Sequence, residues 1–206
     1  GELNLLAIAN AISTNEVNAA MGKICATPTA GSAGVVPGVL FAMVKKDPTI
    51  TEEQKIRFLF TSGAFGFVVA NNASISGAAG GCQAEVGSAS AMAAAALVEL
   101  AGGTPEMSAN AFAIAMKNML GLVCDPVAGL VEVPCVKRNA AGASNALTAA
   151  DMALAGIESR IPADEVIEAM YKIGLTMPSA LRETGRGGLA ATPTGERLKA
   201  ELFGAK

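Results

Sequence analysis

Four cysteines and no histidine set the terms for any chemistry this chain can perform. Cys82 follows the run Gly77-Ala78-Ala79-Gly80-Gly81, Cys124 precedes Asp125-Pro126, and Cys135 follows Pro134. Each stands where regular structure breaks, near backbone N–H groups that lower a thiol's pKa and can hydrogen-bond the sulfides of a cluster. Three such thiolates, with no fourth of the same kind, suit a [4Fe–4S] cluster with one iron left open. An open iron is a Lewis acid for a substrate oxygen. From spacing alone the plainer reading is the commoner one, since free cysteine usually packs as a small buried hydrophobe. Cys25, in the apolar step Lys23-Ile24-Cys25-Ala26, is expected to do so.

Several alternatives fall away at once. With no CxxC pair, a zinc ribbon or thioredoxin-like site is disfavoured. Without histidine there is no Ser-His or Cys-His nucleophile system and no HExxH metalloprotease. Disulfides are disfavoured in the cytoplasmic location that the absence of an Arg- or Lys-led signal segment makes the default.

The elements that must position these thiols read as helices. Leu5, Ile8 and Ile12 give one apolar face to a helix over 2–21, closed by Gly22. A small-residue loop over 26–34 leads into a helix over 35–46. Thr51 with Gln54 three residues later reads as a capping box, and a second small-residue segment covers 71–81. A buried helix is expected over 85–100, then one opened by Thr104-Pro105-Glu106 and ending near Gly121. Further helices are expected over 137–155 and from Pro162 to just before Gly174, with a flexible loop at Arg186-Gly187-Gly188. No βαβ alternation and no regular strand punctuation is present. The fold class is all-α, a compact multi-helix domain with small-residue loops around the site.

At 206 residues the chain is long enough for one domain over 1–206, and Gly rather than Met at position 1 reads as truncation at the N-terminus. Hydrophobic residues make up 51% but aromatics only 4%, with 23 glycines, so helices must meet through small side chains. A net charge of −3 gives no basic footprint for nucleic acid. The mean hydropathy of +0.44 raises the question of a membrane span. The most apolar stretch, 89–98, is far short of the roughly 20 residues a span needs, and Asn71-Asn72 interrupt the run over 64–70.

The blocks Ala26-Thr27-Pro28-Thr29-Ala30-Gly31, Gly80-Gly81-Cys82-Gln83-Ala84-Glu85-Val86-Gly87-Ser88-Ala89, Cys124-Asp125-Pro126-Val127-Ala128-Gly129, Val133-Pro134-Cys135 with Arg138-Asn139, and Glu183-Thr184-Gly185-Arg186-Gly187-Gly188-Leu189-Ala190 carry more. They resemble the bacterial iron–sulfur L-serine dehydratases, either the α chain of the two-subunit form or the catalytic half of the fused form. The resemblance covers nearly the whole chain. It implies an all-helical catalytic domain holding a [4Fe–4S] cluster through Cys82, Cys124 and Cys135, and conversion of L-serine to pyruvate and ammonia without PLP. That reaction belongs to amino-acid catabolism and gluconeogenesis. The resemblance also implies a β chain or domain with a Ser-Ser-His-Thr type motif, which this chain lacks, and a catalytic domain that begins further upstream. It names no catalytic base within this chain, and a homo-oligomer stays open.

On that reading, substrate placement falls to anion donors. The segment from Thr29 through Gly31 and Ser32 to Gly34 resembles a nest of backbone N–H groups suited to a carboxylate, or else a packing connection between helices. Arg138 lies one helical turn past Cys135, where its guanidinium can face the cluster and bind a carboxylate, and Asn139 beside it is expected to share that site. Arg186 reads equally as part of a mobile lid or as a solvated loop charge. Glu85 reads first as the carboxylate that a helix's first turn favours, and second as an acceptor behind the cluster.

Three competing readings remain. A PLP-dependent dehydratase would place its phosphate loop at 31–34 but needs a parallel α/β scaffold. A non-catalytic helical module would use its Ala and Gly faces to bind a partner. A three-Cys metal-binding domain would hold zinc.

Overall fold

The computed structural model describes residues 1–204, and among these there are nine α-helices and no strand. They are α1 Glu2–Ala19, α2 Val35–Lys46, α3 Glu52–Asn72, the single turn α4 Gly77–Gly80, α5 Ser88–Leu100, α6 Pro105–Asn118, α7 Cys135–Leu154, α8 Ala163–Thr176 and α9 Pro193–Phe203. The all-α expectation holds. No helix among the described residues is long and apolar enough to cross a membrane.

Helix α5 is the axis of the fold. Every residue from Ser88 to Val98 is buried, as a helix apolar all round must be. Helices α2, α3, α6 and α7 pack around it, and α1 lies across α2 and α7. Six of its core positions are alanines, Ala89, Ala91, Ala93, Ala94, Ala95 and Ala96. Small side chains let neighbouring backbones approach closely, and glycines complete the fit. A Cβ at Gly142 would stand 2.9 Å from Val86 Cγ1, and one at Gly66 would stand 2.7 Å from Met92 Cε. Between α3 and α6, Phe65 and Phe112 stack with ring centroids 5.1 Å apart.

Helix starts follow the residues that satisfy free N–H groups. Thr51 Oγ1 accepts from Gln54 N at 3.2 Å while Gln54 Oε1 accepts from Thr51 N at 2.8 Å, the reciprocal capping box expected there. Thr104 accepts from Met107 N at 3.2 Å ahead of Pro105, and Thr192 accepts from Gly195 N at 3.1 Å ahead of Pro193.

Three expectations need correction. Helix α3 runs on to Asn72, because Asn71 and Asn72 donate their side-chain amides to Phe67 O and Val68 O one turn back and stay helical. The small-residue segment therefore shortens to 73–76 plus α4. Cys25 is exposed, not core, since residues 22–27 form a surface connection rather than a helix. Glu85 does not sit in the first turn of an α-helix. It lies inside a five-residue π-helical turn, Gln83–Gly87, that precedes α5 and carries its carboxylate inward.

Candidate functional site

The three cysteines expected at the site are buried, and each starts or ends an irregular segment. Cys82 lies between α4 and the π-turn, just after Gly81 at φ 77°. Cys124 sits on the connection from α6, locked by a short parallel bridge: its N–H donates to Leu181 O at 2.9 Å and its C=O accepts from Glu183 N at 2.7 Å. Cys135 is the first residue of α7, behind Pro134. The Cys82 and Cys124 thiols are near enough to shift each other's pKa in opposite directions. Cys135 is close enough to feel the charges of Cys82, Arg138, Glu85 and Glu183.

Gln83, absent from the sequence-based site, holds this convergence together. Fully buried, it donates from Nε2 to Gly80 O and Met170 O, both at 3.0 Å, and accepts from Gly121 N at 2.9 Å. Its backbone N–H donates to Leu122 O. One side chain thus ties the Cys82 turn to the strand-like approach to Cys124 and to α8.

Two carboxylates stand beside the thiols; the sequence offers Glu85 as an acceptor behind the cluster only second to a helix-start carboxylate, and it does not single out Glu183. An oxygen of Glu85, Cys124 Sγ and an oxygen of Glu183 lie within 4.8 Å of one another. Glu183 is aimed by a left-handed backbone at φ 61°. Thr29 Oγ1 donates to Glu85 Oε1 at 2.8 Å. Glycines flank it: a Cβ at Gly77 would stand 2.6 Å from Glu85 Oε2 and 3.1 Å from Cys124 Sγ, and one at Gly31 would stand 3.3 Å from both Glu85 oxygens. The small-residue loop over 26–34 is thus the wall that faces Glu85. Its glycines could have flagged this, since a close approach is one reason for glycine in a loop.

The predicted anion donors divide by their partners. Asn139, fully buried at the second turn of α7, accepts from Gly34 N at 3.0 Å and donates to Gly31 O at 2.8 Å and Cys135 O at 2.9 Å. It pins the 31–34 loop to the start of α7. Ser32 donates within its own turn, to Thr27 O at 3.2 Å. Arg138 pairs through Nη1 with Asp125 Oδ1 at 2.9 Å and with Val123 O at 2.8 Å, and Asp125 Oδ2 accepts from Leu189 N at 2.7 Å. Asp125 therefore joins Arg138 to the Gly-rich loop. Arg186 in that loop is exposed.

The electrostatics follow from burial and these contacts. The neighbouring Cys124 thiol pulls the Cys82 pKa below its ordinary value against the cost of burial, with help from Arg138. The same contact with Cys82, then burial, holds the Cys124 thiol far above its usual value. Burial pushes Cys135 up to about 12, Cys82's charge adds to it, and Arg138 opposes. Burial also raises Glu85, which outweighs the hydrogen bond from Thr29, and Glu183 raises it further.

A family model described as serine dehydratase alpha chain matches residues 1–190. The chain belongs to that family. It is 79% identical over 204 residues to a Bacillus subtilis (strain 168) protein named probable L-serine dehydratase, alpha chain, spanning 99% of this chain and 68% of that one. A Latilactobacillus sakei protein of the same name is 68% identical, with 98% of this chain and 97% of that one covered. The L-serine dehydratase alpha chain of Peptoniphilus asaccharolyticus is 53% identical over 98% of this chain and 69% of its own. The resemblance read from the cysteine blocks is thereby borne out at the level of the family.

Proposed function

We propose that this chain is the catalytic subunit of an L-serine dehydratase, and that Cys82, Cys124 and Cys135 hold a [4Fe–4S] cluster in it. Family membership and the names of three relatives support the activity. The observation that carries the cluster is the burial of three thiols at the ends of separate elements, Cys82 and Cys124 near enough to shift each other's pKa and Cys135 near enough to feel the charge of Cys82. Soft thiolates with no histidine select iron–sulfur or zinc over magnesium or calcium. The absence of a Cβ at Gly77 leaves space against Cys124 Sγ that any other residue would fill. The donor set fits the cluster.

When bound, such a cluster supplies a Lewis-acidic iron that draws charge from the departing β-hydroxyl of serine. The remaining work belongs to the protein. L-Serine must lose its Cα proton and its hydroxide, leaving aminoacrylate, which tautomerises and hydrolyses to pyruvate and ammonia. Glu85 is the proton carrier we assign beside the leaving oxygen: its raised pKa keeps a proton on the carboxyl closer to neutral pH, and Thr29 fixes its orientation. Arg138, anchored by Asp125, favours thiolate at Cys82 and Cys135 and offers a charge for the substrate carboxylate. Thr29 and Gly31 stand directly against the Glu85 carboxylate. Ser32 and Asn139, whose polar atoms bond the backbone, contribute by holding that loop in place.

The complete enzyme includes a β chain, as the alpha-chain names of the relatives suggest. A group from that chain takes the Cα proton in this reading. The test is L-serine turnover by the anaerobically reconstituted complete enzyme, with alanine at each cysteine in turn. Each substitution is expected to remove visible cluster absorption and turnover together. Turnover that survives any one of them excludes that ligand. A second reading, a single divalent ion held by Glu85, Cys124 and Glu183, rests on their mutual 4.8 Å spacing. It predicts one metal per chain and little dependence on Cys135.

A further inference from the structure

Serine carries three groups that a site must hold: a carboxylate, a β-hydroxyl and an α-ammonium. Arg138 answers the first and Glu85 stands beside the second, which leaves the ammonium without a partner. Glu183 is a carboxylate at the same place that this chemistry leaves idle.

Its position is fixed by the backbone. Glu183 N–H donates to Cys124 O at 2.7 Å, and Cys124 N–H donates to Leu181 O at 2.9 Å, so the residue is clamped beside Cys124. Gly185 and Gly188 of the same loop take positive φ values of 61° and 60° with no side chain to accommodate. Glu183 takes φ 61° while carrying a carboxylate, with an oxygen within 4.8 Å of both Cys124 Sγ and an oxygen of Glu85.

No cation of the described residues answers that carboxylate. The ion pairs among them do not include Glu183. Arg182 beside it donates to Ala79 O, Arg186 is exposed, and Arg138 is paired with Asp125 at 2.9 Å. The charge of Glu183 nevertheless reaches Glu85, Cys124 and Cys135. An anion set among acidic groups is unfavourable unless a cation comes to it. The substrate brings one.

The spacing matches as well. The ammonium and hydroxyl of serine sit on adjacent carbons, about 3 Å apart by standard bond lengths. Each takes a charged acceptor at roughly 2.8 Å. Two carboxylate oxygens within 4.8 Å of one another can therefore take one group each.

We propose that Glu183 binds the α-ammonium of the substrate, and so selects α-amino acids over α-hydroxy acids of the same shape. This rests on the dehydratase reading given under Proposed function.

Equilibrium titration of the anaerobically reconstituted complete enzyme with L-alanine and L-lactate tests it without turnover, since neither carries a β-hydroxyl. The wild type is expected to bind L-alanine the more tightly, by roughly 10- to 100-fold. Glu183→Gln keeps the shape and removes the charge. It is expected to weaken L-alanine by that factor, to leave L-lactate nearly unchanged, and to raise KM for L-serine more than it lowers kcat. Glu183→Asp keeps the charge and is expected to recover part of the preference. Iron content and helical circular dichroism should match the wild type in both variants. A wild type that binds the two acids alike, or a Gln variant that keeps the wild-type preference, loses kcat at unchanged KM or loses its metal, would overturn the proposal. The last outcome makes Glu183 a ligand of a bound ion. A wild type that turns over no L-serine overturns the dehydratase reading and this proposal together, and that control tells the two failures apart.

Discussion

The Cys82 and Cys124 thiols stand near enough to shift each other's pKa in opposite directions, although the two residues are separated in the chain by all of α5 and α6. Such proximity requires the segments that carry the two thiols to be held in place, and Gln83 and the Cys124–Arg182 bridge do that holding. Metal uptake requires these thiols to give up their protons, so affinity must rise with pH over the range in which they ionise.

Glu85→Gln separates chemistry from stability. Without its transferable proton, turnover is expected to fall by about 100-fold or more. The metal-free fold should respond in the opposite sense. Because the folded pKa of Glu85 is raised, its contribution to stability is complete below the ordinary glutamate value and is lost as pH climbs through the raised one. The wild-type melting temperature should therefore decline across mildly acidic pH relative to the Gln variant. Parallel melting curves against pH would contradict the assignment.

Gly77→Ala inserts a methyl group into the space between Glu85 and Cys124, at 2.6 and 3.1 Å from their nearest atoms. Among the helices only the single turn α4 includes this position, so circular dichroism should change little. Cluster incorporation and turnover should be largely lost. Full iron content in the alanine variant would show that the space is not reserved for a ligand.

Gln83→Leu keeps the volume of a buried side chain but removes partners from Gly80 O, Met170 O and Gly121 N. Orphaning these groups is expected to destabilise the chain by about 3 kcal/mol or more, read from denaturant midpoints. A change under about 1 kcal/mol would mean that those groups find other partners.

Much of this architecture could be read in the residues themselves. Thr51-Gln54 and Thr104-Pro105 announce helix starts because capping is local chemistry, and the alanines of α5 announce burial because nothing in them suits water. The cysteines stood out by the Gly and Pro beside them. Glu85 did not, because a π-turn is a tertiary accommodation with no local signature, and a carboxylate early in a helix has an ordinary explanation. Glu183 and Gln83 were invisible for a related reason: each acts on a residue far away in the chain. Cys25 was misplaced because an apolar neighbour, Ile24, suggested a core that the surface course of residues 22–27 does not enter.

Iron and sulfide analysis with EPR on the anaerobically reconstituted complete enzyme, before and after L-serine, addresses the cluster most directly. About four irons and four sulfides per chain are expected, with a reduced-cluster signal that shifts when serine is added. A single bound zinc, or an iron signal that is blind to serine and unchanged by alanine at Cys82, Cys124 and Cys135, would contradict it.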